Sequence, residues 1–340
     1  MRKILVTGAG GYIGSTLVPL LLSSGYSVRA VDRFFFGEDK LQTHPNLEII
    51  REDTRTLNIK NFDGVFAVID LVAISNDPSG ELFEKATFEI NRDSRIRTAK
   101  LASQCGVSRY ILPSSCSIYG FTEPEIISDE ESPTNPLTNY AKANEQAEQC
   151  ILPLHDENFI VTVLRQSTVY GYSPRMRFDL AINGMTHGAW KTRKLPLMRD
   201  GKQWRPMVHV SDTARAQMFM LDAPAEKING QIFNVGSDAN NYQLGDLAES
   251  VARAVGSEVS IEWYGDPDHR SYRVSFEKIE NLGYKAEKVA EDGVREIIGK
   301  LERGELAMTD ETITLQWYKN LVYWNKKLKD LRISGGVFEL

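Results

Sequence analysis

The chain has 340 residues, 42% hydrophobic and 25% charged, with a formal net charge of −6. It is long enough for one large or two modest domains, carries no basic stripe for a nucleic acid, and has no run near the roughly 20 apolar residues of a membrane helix. Cys105, Cys116 and Cys150 are few, odd in number and outside metal-ligand spacing, which points to free thiols in a reducing cytoplasm and to no metal.

Ile4 to Thr7 reads as an apolar strand, and Thr7-Gly8-Ala9-Gly10-Gly11-Tyr12-Ile13-Gly14 then opens a helical stretch through Leu17, Leu20 and Leu21. Gly8 permits a tight turn, Gly11 lets backbone approach a pyrophosphate, and Gly14 allows the helix to pack closely on the strand. Free N–H groups at the helix start face the phosphate. A second strand, Ser27 to Asp32, ends in an acid eighteen positions after Gly14. That carboxylate accepts hydrogen bonds from ribose hydroxyls and repels a 2′-phosphate, so NAD is expected over NADP, with neighbouring Arg33 weakening the preference. Leu47 to Glu52, Val65 to Leu71, Tyr110 to Ser115 and Ile160 to Leu164 read as further strands, and Leu82 to Cys105 and Tyr140 to Leu152 as helices. The alternation predicts right-handed βαβ units: an α/β, Rossmann-like doubly wound parallel sheet covered on both faces. Asp53, just past the third strand, suits either an adenine contact or a turn. After Gly171 the pattern loosens, and arginines and prolines cluster between Ser173 and Pro206. A smaller C-terminal substrate-binding lobe is expected there. The boundaries are 1–171 for the NAD-binding domain, with 206–236 returning to it, 172–205 and 237–330 for the lobe, and 331–340 for a tail.

Ser114-Ser115-Cys116-Ser117-Ile118-Tyr119-Gly120 follows a strand directly. Ligands of parallel sheets bind beyond the carboxyl ends of the strands, which sets Ser115 near the nicotinamide end of the cofactor. Tyr140 begins a helix after Pro136 and Asn139. A tyrosine beside a nicotinamide can take a hydroxyl proton while hydride leaves the same carbon, with Ser115 sharing the hydrogen bond.

These motifs, with Arg205-Pro206-Met207-Val208-His209-Val210-Ser211-Asp212, Phe233-Asn234-Val235-Gly236 and Arg270-Ser271-Tyr272, make the chain resemble the extended short-chain dehydrogenase/reductase family, in its nucleotide-sugar epimerase/dehydratase branch. The resemblance implies that Ser115 and Tyr140 are catalytic and that Arg205 and Arg270 bind the diphosphate of a nucleotide sugar, as guanidinium forks suit phosphate oxygens. It further places Tyr12, Ile13, Thr54, Leu71, Ala73 and Asn91 with Gly8, Gly11, Gly14, Asp32 and Asp53 at the cofactor. Cys116, Ser117 and Thr168 are expected at the substrate. It also implies a homodimer through the helices around 84–105 and 140–152.

The departures narrow the chemistry. The family's Tyr-x-x-x-Lys becomes Tyr140 followed by Asn144. At roughly 6 Å and an effective dielectric of about 20, the missing ammonium is worth about 3 kcal/mol, or about two pKa units. Asn144 retains a hydrogen bond to the cofactor ribose but not the charge, and Lys142 at i+2 faces away. The chain is then a specialised catalyst, a deliberately altered variant or a cofactor-binding protein. Cys116 and Ser117 stand where 4,6-dehydratases of the family carry an acid–base pair, and decarboxylases carry Glu at the second position, which disfavours both reactions. Thr168 replaces a substrate-lobe asparagine. Arg175 and Arg177, in Ser173-Pro174-Arg175-Met176-Arg177-Phe178-Asp179-Leu180, are expected to grip phosphate or sugar oxygens, or to form surface ion pairs. The expected function is an NAD-dependent nucleotide-sugar 4-epimerase or 4-dehydrogenase. The alternatives are a 4-ketosugar reductase and an impaired binding protein.

Overall fold

The computed structural model describes residues 1–330 apart from 124, 257 and 267–269. The expected tail at 331–340 lies outside the described residues. Seven parallel strands form the main sheet in the order Gln231–Val235, Ile160–Gln166, Arg109–Ser115, Val65–Asp70, Lys3–Thr7, Ser27–Asp32, Leu47–Arg51. Chain order reverses at Lys3–Thr7, so a crevice opens between it and Val65–Asp70, where ligands bind in open α/β sheets. The register sets Thr7 opposite both Val31 and Asp70, and Ser115 opposite Gln166. The strand ends that carry the motifs therefore share one edge.

Burial on both faces explains why these strands read as nearly continuous apolar runs. Ile4 and Val6 face one core with Leu17, Val28 and Ile69, whereas Leu5 faces the other with Val31, Val68, Ala99, Ala147 and Val161. The helix Gly14–Ser23 covers the first face, and Arg95–Gln104 and Asn139–Ile151 cover the second. A separate core of Leu195, Leu197, Leu247, Val251 and Val294 holds the smaller lobe, built from the helices Ala181–Thr192, Leu244–Val255 and Ala290–Glu302. A three-stranded sheet of Thr168–Tyr170, Trp204–His209 and Asn241–Gln243 links the two cores.

Two elements differ from the sequence expectation. The helical region from Leu82 to Cys105 is segmented into Glu84–Phe88, a π-helical turn Glu89–Ser94 and Arg95–Gln104. Side chains compete with the helical ladder there. The Ser94 hydroxyl donates to the Ile90 carbonyl at 2.8 Å, and buried Asn91 brackets the Ile74 backbone by accepting from its N–H and donating to its carbonyl. The C-terminal helix Thr314–Asp330, expected in the second lobe, meets Arg175 and Asp179 of the 172–205 segment through Thr314 and also packs on the nucleotide-binding half. Trp317 Nε1 donates to the Phe35 carbonyl at 2.7 Å, and Tyr318 lies between the rings of Phe36 and Phe83. Among the described residues, no helix is long and apolar enough to cross a membrane, and no cluster of three or more His, Cys, Asp or Glu could hold a metal ion.

Candidate active site

A cleft of about 1130 Å³ runs along the carboxyl edge of the sheet and into the smaller lobe. Its floor is the glycine turn. Gly8 has φ +63°, and a Cβ there would lie 2.7 Å from the Leu71 carbonyl carbon. A Cβ on Gly14 would lie 2.5 Å from the carbonyl oxygens of Gly8 and Ala9. Only a chain without side chains at these points can bring strand, turn and helix this close. Gly11, Tyr12 and Ile13 complete the turn, and Leu71 and Ala73 form the facing wall.

Asp32 marks the end of the cleft. Its carboxylate accepts from the Gly10 N–H at 3.0 Å and the Phe34 N–H at 2.7 Å. Burial raises its pKa, against these backbone donors and the nearby Arg175. Arg33 also lines the cleft, where it forms an ion pair with Asp53 at 2.9 Å. Asp53 borders the cleft, yet it also acts as the turn former: it caps Thr54–Thr56 by accepting from the Arg55 N–H and pairs with the Arg55 guanidinium at 2.7 Å. Thr54 is buried, with its hydroxyl 3.0 Å from that of Ser94.

At the far end Ser115 and Tyr140 share one wall. Ser115 ends its strand and caps the turn Cys116–Tyr119, its hydroxyl accepting from the Ser117 N–H at 3.1 Å. Tyr140 stands in the first turn of Asn139–Ile151, which Thr138 caps through the Ala141 N–H. Burial raises the Tyr140 pKa; Arg95, the Ser115 hydroxyl and Arg177 pull it down, while Asp77 pushes it up. Ser117 and Thr168 border the same space. The Ser117 hydroxyl is buried with no hydrogen-bond partner, as is Nε2 of Gln203, which also lines the cleft, leaving polar atoms for a ligand to satisfy. Arg205 and Arg270 also line the cleft. Arg205 donates to the carbonyls of Trp204 and Arg270, and Arg270 pairs with Asp77.

Several assignments are corrected. Cys116 does not reach the cleft: it is buried and its thiol donates to the Arg165 carbonyl at 3.2 Å. Asn91 is spent on the Ile74 backbone and does not line the cleft. Asn144 is buried and cannot offer its amide to a ribose: Oδ1 accepts from Arg95 Nη1 at 2.8 Å and Nδ2 donates to the Tyr140 carbonyl at 2.9 Å. Arg177 is neither a free phosphate grip nor a surface residue, since a two-pronged ion pair with Asp179 at 3.1 and 2.8 Å occupies its buried guanidinium.

Arg175 belongs to the cofactor half. Its backbone N–H donates to Ser15 at the start of the first helix, its guanidinium covers the Phe36 ring at 3.6 Å, and Nη2 donates to Thr314 at 3.0 Å. Burial, reinforced by Arg177, pushes its pKa down to about 10. The C-terminal helix contributes Tyr318, Leu321 and Val322 to the cleft. The sequence reading did not find this wall, because its signal is one aromatic-rich amphipathic helix far from every motif.

The NAD dependent epimerase/dehydratase family matches over residues 4–236. The putative UDP-glucose 4-epimerase of Methanocaldococcus jannaschii is 26% identical over 308 residues, covering 87% of this chain and 97% of its own. The UDP-glucuronate 4-epimerase of Thermodesulfobacterium geofontis is 25% identical over 277 residues, covering 77% and 84%. The solved structure of MoeE5 in complex with UDP-glucuronic acid and NAD superposes with a TM-score of 0.79 at 26% identity, covering 89% of this chain and 99% of that one. The glycine cradle and the carboxylate of Asp32 at the cleft fit an NAD cofactor. Fold, cradle and family match agree: this chain is an enzyme of the NAD dependent epimerase/dehydratase family.

Proposed function

We propose that the enzyme is a nucleotide-sugar 4-epimerase working through a 4-keto sugar. The observation that carries this reading is the pairing of Tyr140 and Ser115 on one cleft wall, with no carboxylate at positions 116 and 117. Tyr140 removes the proton of the C4 hydroxyl and returns it, and Ser115 holds that oxygen in line. NAD, when bound, supplies hydride acceptance and return at C4. Elimination of water or loss of a carboxyl group would need an acid–base partner where Cys116 lies buried and Ser117 carries only a hydroxyl.

Epimerisation is favoured over net oxidation by the wall of Phe36, Tyr318 and Arg175 across the adenosine end. A cofactor so enclosed stays through the whole cycle, which suits a redox-neutral reaction. Arg205 and Arg270 border the cleft where a substrate diphosphate would be gripped. The relatives and the MoeE5 complex, named for UDP-sugars, support that substrate class. We also infer a homodimer built on the adjacent helices Arg95–Gln104 and Asn139–Ile151; a monomeric mass by light scattering at micromolar concentration would remove it.

Incubation of the NAD-loaded protein with UDP- and dTDP-hexoses, followed by proton NMR, tests the reaction. The C4 epimer is expected without net NADH. Accumulating NADH would make the enzyme a dehydrogenase, and tight binding of a sugar nucleotide without turnover would refute catalysis.

A further inference from the structure

The catalytic helix lacks a cation at i+4, but the space around Tyr140 does not lack one. Arg95 opens the helix Arg95–Gln104 directly after the π turn, and only 2% of its surface is exposed. Its Nε donates to the Val72 carbonyl at 2.9 Å and its Nη1 to Asn144 Oδ1 at 2.8 Å. Asn144 in turn donates from Nδ2 to the carbonyl of Tyr140 itself at 2.9 Å. Asparagine is thus not a neutral blank in the lysine position. It is a bridge, accepting from a guanidinium on one side and bonding to the residue of the catalytic phenol on the other. A lysine at 144 would put an ammonium against that guanidinium.

We propose that Arg95, acting through Asn144, is the positioning residue that supplies the positive charge beside Tyr140. Among the described residues Arg95 makes no ion pair within 4 Å, whereas the other charges facing the phenol, Arg177 and Asp77, are paired elsewhere. Arg177 is paired with Asp179, and Asp77 is paired with Arg270 and accepts from the Thr138 hydroxyl at 2.6 Å. The remaining partner, Ser115, is neutral. Buried Asp70 also feels Arg95, although its carboxyl accepts hydrogen bonds from Thr7 and Tyr110 rather than from the guanidinium. Burial raises the Asp70 pKa even against Arg95, whereas a guanidinium stays charged, so the positive field of Arg95 still reaches its other neighbours, Tyr140 among them. The electrostatic effect on Tyr140 has the required sign, since Arg95 is the largest influence favouring its phenolate. Single-turn π segments are frequent where a helix presents a functional side chain, and this one ends at Arg95.

The proposal rests on Tyr140 being the proton-transferring group, and its test needs no sugar substrate. In NAD-loaded protein carrying ¹³Cζ-labelled tyrosine, the phenol of Tyr140 is titrated by NMR, with Tyr140→Phe identifying its signal. Arg95→Gln is expected to raise the midpoint by about 1–2 pH units, Arg95→Lys to leave it within about half a unit, and Arg95→Gln/Asn144→Lys to bring it back. Should Arg95→Gln not fold, Arg95→His decides the matter: the imidazole keeps a donor for Asn144 but is uncharged at the pH where a phenol titrates, so the same upward shift is expected. An unchanged midpoint in folded Arg95→Gln or Arg95→His, or a double variant that stays shifted, overturns the proposal. Those results would leave the 4-epimerase reading standing, because product NMR judges it separately.

Discussion

Replacing Arg175 by methionine separates a cofactor ligand from a structural side chain, because the two roles predict opposite effects on the apo protein. In the folded chain the Arg175 guanidinium donates to Thr314 at 3.0 Å and, at a long 3.5 Å, to the Met176 carbonyl, it stacks on Phe36, and its Nε has no partner. Those contacts are worth about 1 kcal/mol and about 0.5–2 kcal/mol. Against them stands the cost of holding a guanidinium with 3% exposure beside Arg177, only partly offset by Asp179, of the order of several kcal/mol per buried ion. Methionine keeps much of the stem volume and removes that cost, so the melting temperature of the apo protein is expected to hold or rise. NAD binding changes the balance. A charge-assisted hydrogen bond to its diphosphate at the start of the first helix contributes about 1.5–3 kcal/mol, and its loss weakens NAD affinity by about 10- to 150-fold. Calorimetric titration with NAD and thermal unfolding of the apo protein read the two quantities on one sample. Wild-type NAD affinity together with a lower melting temperature would refute the reasoning and make Arg175 a structural prop.

Tyr140→Phe is expected to cut turnover by about 100- to 10,000-fold with little change in NAD affinity, since it removes the proton-transferring oxygen but keeps the ring; steady-state kinetics and NAD titration check both halves. Gly14→Ala drives a methyl to 2.5 Å from two backbone carbonyl oxygens that cannot retreat without opening the turn. It should therefore lower the melting temperature and NAD affinity together, and an unchanged Kd would show that the cradle is looser than its contacts imply. The hydrogen bonds and charge of Arg55, helped by Arg33, hold the Asp53 carboxyl below the usual carboxylate range. A carboxyl depressed on folding contributes stability that is complete above its unfolded value and decays as pH falls through the folded one. Thermal unfolding of wild type should fall more steeply than that of Asp53→Asn below about pH 4, and parallel curves would count against the Asp53 clamp.

Much of the fold was legible because local and global signals agreed. Ser27–Asp32 appears with the bounds that its apolar run gave, and the other five strands expected in the main sheet differ by a residue or two at their ends. The glycine turn was legible for a stronger reason: close backbone approach at positions 8 and 14 leaves no choice of residue. What escaped notice depends on tertiary partners. Nothing local marks the break at Glu89–Ser94, because it is tied to Asn91 bonding a loop seventeen positions earlier. Thr314–Asp330 carries no motif, and only its docking on Phe35, Phe36 and Phe83 makes it a wall of the cleft.

The same distinction governs the catalytic charge. Spacing along a helix identifies residues that share a face, so position 144 was the natural place to look, and its asparagine read as a loss. Electrostatics does not respect spacing: a cation acts on a phenol from any element that brings it near, provided burial keeps the effective dielectric low. The neighbouring helix does this with Arg95, forty-nine positions before Asn144 in the chain and 2.8 Å from it in space. The two residues are then best regarded as one unit, in which the cation has moved to the adjacent helix and the vacated position has become its hydrogen-bond acceptor. Such a unit predicts strong non-additivity. Asn144→Lys alone sets two cations side by side in a buried site and should destabilise the fold, whereas the same change in Arg95→Gln should be tolerated, so a double-mutant cycle on thermal stability should show a coupling of about 1 kcal/mol or more. Additive effects would mean that the two side chains act independently, and that the charge beside Tyr140 is incidental to the asparagine that replaced the lysine.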